Sequence, residues 1–438
     1  MRESSLLCRR ILSLYVVFAF VFLPFVGTAT ADGCVVGKQD TVFYLGEDSQ
    51  YAVIDYSEGI EGLLLSIDFQ WQDSSSTAWI FPIPADPNSI DVHIVDGAPE
   101  FRGTDVMTEA KEDLDHAMST FVFSYPFSVA IPWPLMTVPY FLVTGLLGSG
   151  AGATVHMHLE QYGLIVEVIS ATEGAGIYNY LTNNGLDVSE GMIPQLDDYV
   201  GEDYSFVVTW ISESGTTLRK PGVLVHFPTE RMFYPLILTS IYGSKVIPTE
   251  IFVTGHVSPR IYDEIEPYTD VTYLQGSISS VEYSTTPSLR YFVEEIDKRW
   301  GGFFTRIEIS APSNSLTKDL WISREIPGKV VSAAYVHALF DEPALLPTLL
   351  IMVAGVSLLM GFLVGVAVLG YRKEAIPAYL AIGMANVVGI IGVIIATSTM
   401  RNRLGMTVGQ SLAFVGLFCL AFFVSMLAIF GALYVSMS

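Results

Sequence analysis

Residues 345–369 read LLPTLLIMVAGVSLLMGFLVGVAVL, without one charged side chain. A helix rises about 1.5 Å per residue, so a run of this length spans the roughly 30 Å hydrocarbon core of a bilayer. Two further runs, 376–397 and 412–435, also lack Asp, Glu, Lys, Arg and His. The sequence therefore predicts three transmembrane helices within residues 344–438. Small residues recur at helical spacing in each: Gly361 and Gly365, then Ala381, Ala385 and Gly389, then Ala421, Ser425, Ala428 and Ala432. Such spacing lets helix backbones approach closely. Asn386 is the one strongly polar side chain in the runs, and an interhelical hydrogen bond accounts for it. Ion and proton pathways normally need ionisable groups inside the membrane, so these runs read as an anchor and not as a pump.

Upstream the character reverses. Between Asp32 and Pro343 stand 43 acidic and 15 basic side chains, within a chain of formal net charge −23. A surface this acidic repels nucleic acid and anionic headgroups, so neither is expected as a partner. The expected partners are the lipid bilayer, through the C-terminal helices, and a protein partner or a second copy of the chain. Residues 1–31 carry Arg2, Arg9 and Arg10, then an apolar run from 11 to 26, then Ala29-Thr30-Ala31. That order is a secretory signal peptide, with cleavage expected after Ala31. The domain at 32–343 is thereby expected outside the cytoplasm, and three crossings would leave the C-terminus cytoplasmic. Arg372 and Lys373 lie in one loop between the runs and Arg401 and Arg403 in the other, so loop charge does not choose an orientation for three crossings. Beyond the leader and the hydrophobic helices only Cys34 remains, so no intrachain disulfide framework exists.

Inside 32–343 short β-rich runs alternate with Gly, Pro, Asn and Asp clusters. Strands are expected at 63–71, 77–83, 154–169, 204–211, 223–227 and 251–254. Helices are expected at 105–118, 176–183, 192–200 and 288–299. The fold class expected is an α+β extracytoplasmic domain rich in antiparallel β-sheet, followed by a C-terminal bundle of three transmembrane helices. Residues 117–153 form an apolar segment with Pro126, Pro132, Pro134 and Pro139. Its prolines exclude a regular helix in the first half, and the expected readings are a hairpin against the bilayer or the anchor and an ordinary buried core segment.

A series of short motifs carries a family resemblance. Ala78-Trp79-Ile80-Phe81-Pro82-Ile83-Pro84 follows a strand ending Asp68-Phe69-Gln70-Trp71. Tyr180-Leu181-Thr182-Asn183-Asn184-Gly185 leads to Leu196-Asp197-Asp198-Tyr199-Val200 and then to Tyr204-Ser205-Phe206-Val207-Val208. Phe233-Tyr234-Pro235-Leu236, Thr305-Arg306-Ile307 and Leu316-Thr317-Lys318-Asp319-Leu320 complete the order. This order resembles the bacterial and archaeal domain-of-unknown-function family 2330, over roughly residues 33–322. The resemblance implies a secreted or membrane-anchored domain without assigned activity, so it transfers no catalytic residue. Two departures stand out: the family's Cys-Gly-Gly opening is reduced to Cys34, and the proline-rich apolar segment looks like an insertion.

Chemistry is sparse. His156, His158 and Glu160 alternate along an expected strand and so share one face, a spacing that suits a divalent metal. Apolar Val155, Met157 and Leu159 make the same face simply the solvated one. Acidic groups such as Asp197-Asp198 and Asp263-Glu264-x-Glu266 lack the spacing of a calcium loop. No cofactor is predicted; neither a nucleophile elbow nor a phosphate-binding loop occurs. Trp71, Trp79 and Trp133 offer a sugar platform only if they are not core. The expected function is a membrane-anchored, non-enzymatic binding or assembly domain at the cell surface. The alternatives are a metal-assisted or carboxylate-dependent hydrolase of the cell envelope and a subunit of a membrane complex acting through its helices.

Overall fold

The computed structural model describes residues 34–36, 47–69, 77–124, 159–161, 164–171, 173–200, 204–211, 222–279 and 286–437. The leader, its cleavage site, the expected ligands His156 and His158, and the apolar segment beyond residue 124 lie outside them. In chain order the first elements are β1 (Cys34–Val36), β2 (Glu47–Ser57), β3 (Ile60–Phe69), β4 (Thr77–Ile83), β5 (Asp91–Val95) and β6 (Glu100–Asp105). Next come α1 (Val106–Ser124), β7 (Leu159–Gln161), β8 (Leu164–Ile169), α2 (Gly174–Asn183), α3 (Ile193–Asp197) and β9 (Ser205–Ile211). They are followed by β10 (Gly222–Pro228), β11 (Met232–Tyr234), β12 (Thr249–Thr254), β13 (Ser258–Pro259), β14 (Thr269–Ser279), α4 (Pro287–Trp300), β15 (Phe303–Ile309) and β16 (Leu320–Ser323). The helical base holds α5 (Gly328–Phe340), α6 (Glu342–Leu369), α7 (Ile376–Met384), α8 (Ile390–Leu404) and α9 (Val408–Ser436).

Four layers make the sheet-rich domain. An eight-stranded sheet runs β5-β10-β3-β2-β12-β15-β14-β6, and a five-stranded sheet runs β1-β4-β9-β8-β7. Successive side chains of a strand point to opposite faces. In β4 Trp79, Phe81 and Ile83 therefore face the larger sheet, meeting Ala52, Leu63, Leu65 and Val225, while Ala78 and Ile80 face α2 and α3. On the far face of the larger sheet Val53, Leu64, Leu224 and Phe252 pack against Leu289, Phe292 and Ile296 of α4. Burial on both faces explains the continuous apolar runs in β3 and β10. The sheet pairs are antiparallel except β2 with β12, so the larger sheet is mixed, which the expected antiparallel pattern did not include. A small sheet, β11-β16-β13, closes one end.

The base differs from the three-helix expectation. Among the described residues only α6 and α9 are long and apolar enough to cross a membrane, and a third or less of the apolar stretch in each is buried. The run at 376–397 is instead broken: α7 passes into a 3-10 turn and stops at Gly389, whose φ of 87° is left-handed. Glycine reaches that conformation without the Cβ clash other residues meet.

Contacts fix the direction of each piece. A Cβ on Gly365 would touch the Tyr379 ring, one on Gly361 would touch the Tyr379 carbonyl and Gly383, and one on Gly383 would touch the Ser357 carbonyl. Asn386 Nδ2 donates to Ser357 Oγ at 2.8 Å, the interhelical bond expected of it. α7 thus runs back along α6 and stops at the depth of Ser357. α9 runs antiparallel to α6: Ser425 Oγ donates to Met360 Sδ at 3.7 Å, while Phe430 meets Phe340, just before α6 begins. Its start therefore lies at the end of α6 away from the sheets. The 15-residue α8, rising about 22 Å at helical pitch, returns to that end. Residues 376–404 form a half-depth hairpin, and both basic loops lie on the same side.

α9 also corrects the expected packing face. Ala428 and Ala432 are exposed, and the buried positions are Phe414, Phe418, Phe422, Met426 and Phe430 at a spacing of four. α1 descends beside this ladder. Phe121 lies against Phe422, Phe423 and Phe430, Tyr434 Oη donates to Asp115 Oδ1, and Asp113 pairs with His337 of α5 at 2.7 Å. Residues 117–124 of the expected apolar segment are accordingly the last two turns of a helix that joins the base.

Candidate functional site

A cleft of about 390 Å³ opens beside the small sheet. Its wall comes from distant parts of the chain: Asp198 and Tyr199 after α3, Arg231 in the β10–β11 turn, Arg260 and Tyr262 after β13, and Lys318, Asp319 and Trp321 entering β16. Pairing of β16 with β11 and β13 places these segments side by side: Phe233 lies opposite Trp321, Pro259 opposite Ile322, and Arg260 N donates to the Trp321 carbonyl at 2.9 Å.

Asp319 holds the floor. Its Oδ1 accepts from Tyr199 Oη at 2.7 Å, Leu236 N at 2.7 Å and Ile237 N at 3.1 Å. Burial outweighs these three donors and pushes the carboxyl up to about 6. Desolvation likewise raises the Tyr199 hydroxyl, with the Asp319 charge adding to it. Tyr262 forms a side wall; burial pushes its hydroxyl up to about 12, against the backbone N–H groups of Lys318 and Thr317, which favour the ionised form. The Lys318 ammonium sits 5.2 Å from the Tyr262 ring centre and 3.9 Å from Glu264.

Three cations around one cleft stand out in a domain so acidic. Among the described residues no carboxylate forms an ion pair with Arg231 or Arg260. A guanidinium presents a rigid fork of donors that matches a carboxylate or phosphate, and aromatic walls suit a flat or apolar body attached to it. The arrangement is chemically one for holding an oxyanion. Of the hydroxyls lining the cleft, Tyr199 stands against a carboxylate, that of Asp319, at 2.7 Å.

The expected site residues fall elsewhere. His156 and His158 lie outside the described residues, and Glu160 belongs to β7, opposite Ile165. Trp79 is core, 4.7 Å from the Phe81 ring, and is no sugar platform. Asp197 accepts from Gly174 N at 2.8 Å at the start of α2, and Asp263, Glu264 and Glu266 are exposed. The cleft residues were missed because Arg231 and Arg260 each stand alone in sequence. The one local signal was Thr317-Lys318-Asp319 before a strand.

A four-layer sheet domain with a cleft beside its small sheet, seated on a helical base, is the class of protein defined here. The chain belongs to DUF2330, a family of uncharacterized proteins conserved in bacteria, whose model matches residues 26–322. The match ends within β16, so the helical base lies beyond it. No match was found among curated proteins or among solved structures.

Proposed function

We propose that this chain is a membrane-anchored protein that displays an oxyanion-binding domain outside the cytoplasm and works as a binding or assembly module, not a catalyst. The observation that carries this reading is the pair Arg231 and Arg260, facing a cleft without an ion-pair partner among the described residues of an acidic domain. The ligand class is a small molecule or chain end with a carboxylate or phosphate and a ring or apolar portion.

Anchorage rests on α6 and α9 as the two crossings, with 376–404 entering and leaving from the far side. Arg372, Lys373, Arg401 and Arg403 then share one side, and a basic excess marks the cytoplasmic face. The signal-like leader agrees with this orientation, which also places the Tyr434 end of α9 outside with the domain.

Calorimetric titration of the full chain in detergent with inorganic phosphate and with citrate tests the cleft. Saturable binding that weakens at least about tenfold in the Arg231→Gln/Arg260→Gln double variant is expected, since each charged contact contributes about 1.5–3 kcal/mol. Equal binding by both proteins, or none by either, rejects the oxyanion reading. A cysteine placed at Ser436 should react with an impermeant thiol reagent in intact cells, and one at Arg403 should not.

A further inference from the structure

β5 is the edge strand of the larger sheet, paired with β10. Val92 and Ile94 enter the core between the sheets, so alternation turns Asp91 and His93 to the opposite face. Register sets His226 of β10 across from Asp91. His93 Nε2 lies 3.1 Å from Asp91 Oδ2, and the two imidazole rings are 6.1 Å apart. One ligand atom from each of Asp91, His93 and His226 falls within 4.8 Å of the other two, and all three residues are half-buried. This is the one such triad among the described residues.

The surroundings hold it in shape. His226 is seated beside Gly62, where a Cβ would stand 3.2 Å from its Cδ2 and 2.9 Å from Phe292 Cε2. Phe292 of α4 covers the other side, edge-on to the His226 ring at 6.1 Å. The side chains of His93 and Asp91 remain 32% and 48% exposed, which leaves a mouth for a water ligand.

Nitrogen and oxygen ligands about 2.0–2.1 Å from a tetrahedral ion stand about 3.3 Å from one another. Asp91 and His93 already have about that spacing, and a side-chain shift of at most about 1.5 Å would bring His226 to it. We infer that Asp91, His93 and His226 form a three-ligand site for a divalent transition-metal ion of the zinc type, with its fourth position open to solvent. Two imidazoles with one carboxylate suit zinc, cobalt or nickel; calcium and magnesium call for all-oxygen sets. The site is separate from the arginine cleft and does not depend on it.

Full-length protein in detergent, stripped with a chelator, is titrated with cobalt chloride and then with zinc chloride. One cobalt per chain, with the visible bands of a four-coordinate ion that zinc displaces, is expected. His93→Gln and His226→Gln should each weaken binding by more than the roughly 10–100-fold typical of losing an outer-sphere partner. Because His226 is packed beneath Phe292, Asp91→Asn serves as the second variant; it should lose affinity while unfolding at the same temperature as the metal-free parent. The inference is overturned if cobalt gives no stoichiometric four-coordinate spectrum. It is equally overturned if the spectrum survives in His93→Gln or Asp91→Asn, or disappears in His156→Gln/His158→Gln instead.

Discussion

Trp79 and Gly383 each sit at the centre of a packed contact, in opposite kinds of surroundings. Trp79 is 2% exposed between two sheets, among Phe81, Leu63 and Val225. Gly383 lies where α6 and α7 touch, and its neighbours there are Gly361 and Ser357. Outward the contrast inverts. The sheet domain surrounds its core with carboxylates, while the base exposes Ile351 at 73%, Leu412 at 69% and Leu420 at 63%. Water drives large apolar groups inward, so the first core is built from them. In the base the α6–α7 contact is instead held by close backbone approach and the Asn386–Ser357 hydrogen bond, beside the phenylalanine ladder of α9.

The two regions should therefore break under opposite substitutions. Trp79→Ala should have the largest effect, about 3–5 kcal/mol, because it opens a cavity between the sheets. Denaturant unfolding of the full chain followed by far-ultraviolet dichroism checks it; a loss under about 1 kcal/mol would mean that the sheets close over the gap. Gly383→Leu should cost roughly 1–3 kcal/mol in the base alone, as overpacking does. Its readout is the cross-link between cysteines at Ser357 and Asn386, which should fade while the sheet domain's transition stays in place.

Asp319 sharpens the contrast further, since the sheet domain half-buries this carboxyl while the base buries only Ser357, Asn386 and Thr397 among its described polar residues. Its pKa is raised from 3.8 to about 6, so the folded state favours the protonated form. The stability this contributes is fully present below about pH 3.8 and is lost as pH rises through about 6. Asp319→Asn keeps a neutral acceptor, so from pH 4 to 7 it should gain on the parent by up to about 3 kcal/mol. Asp319→Ala instead orphans three donors and should destabilise at every pH. Thermal unfolding across that pH range separates the two variants. Ile351→Ala should change least, within about 0.5 kcal/mol, because its exposed side chain packs against nothing in the protein.

Much of the sheet domain was legible in the sequence. Residues 77–83 alternate two apolar sets and form β4 with those bounds, and α4 was expected within one residue at each end. Local period and turn chemistry determine both. Hydropathy reported the base only in part, because an apolar run has length but no direction. Gly389 was read as one of three small packing residues when its role is to stop a helix at half depth. That single reversal puts all four loop arginine and lysine side chains on one side, where three crossings had divided them. The α9 face was misread although its spacing was visible: phenylalanines four apart outcompeted alanines four apart for the interior. Neither the cleft nor the histidine triad could be read locally. His226 meets Asp91, and Arg231 comes close to Lys318, through strand pairings set by register between distant segments.

The contact between Asp115 and Tyr434 joins residues 319 positions apart. On a growing chain, α1 emerges long before residues 408–436 exist. Until they are made, Phe121 has no aromatic ladder to lie against, and α1 presents an apolar stripe to whatever binds nascent proteins. The sheets have what they need to close earlier, but the seam between domain and base waits for α9. Translation order thus makes the arrival of α9 the step that completes the seam. A chain stalled before residue 422 would carry a finished head on an unfinished neck, which is a form quality-control proteases are built to find.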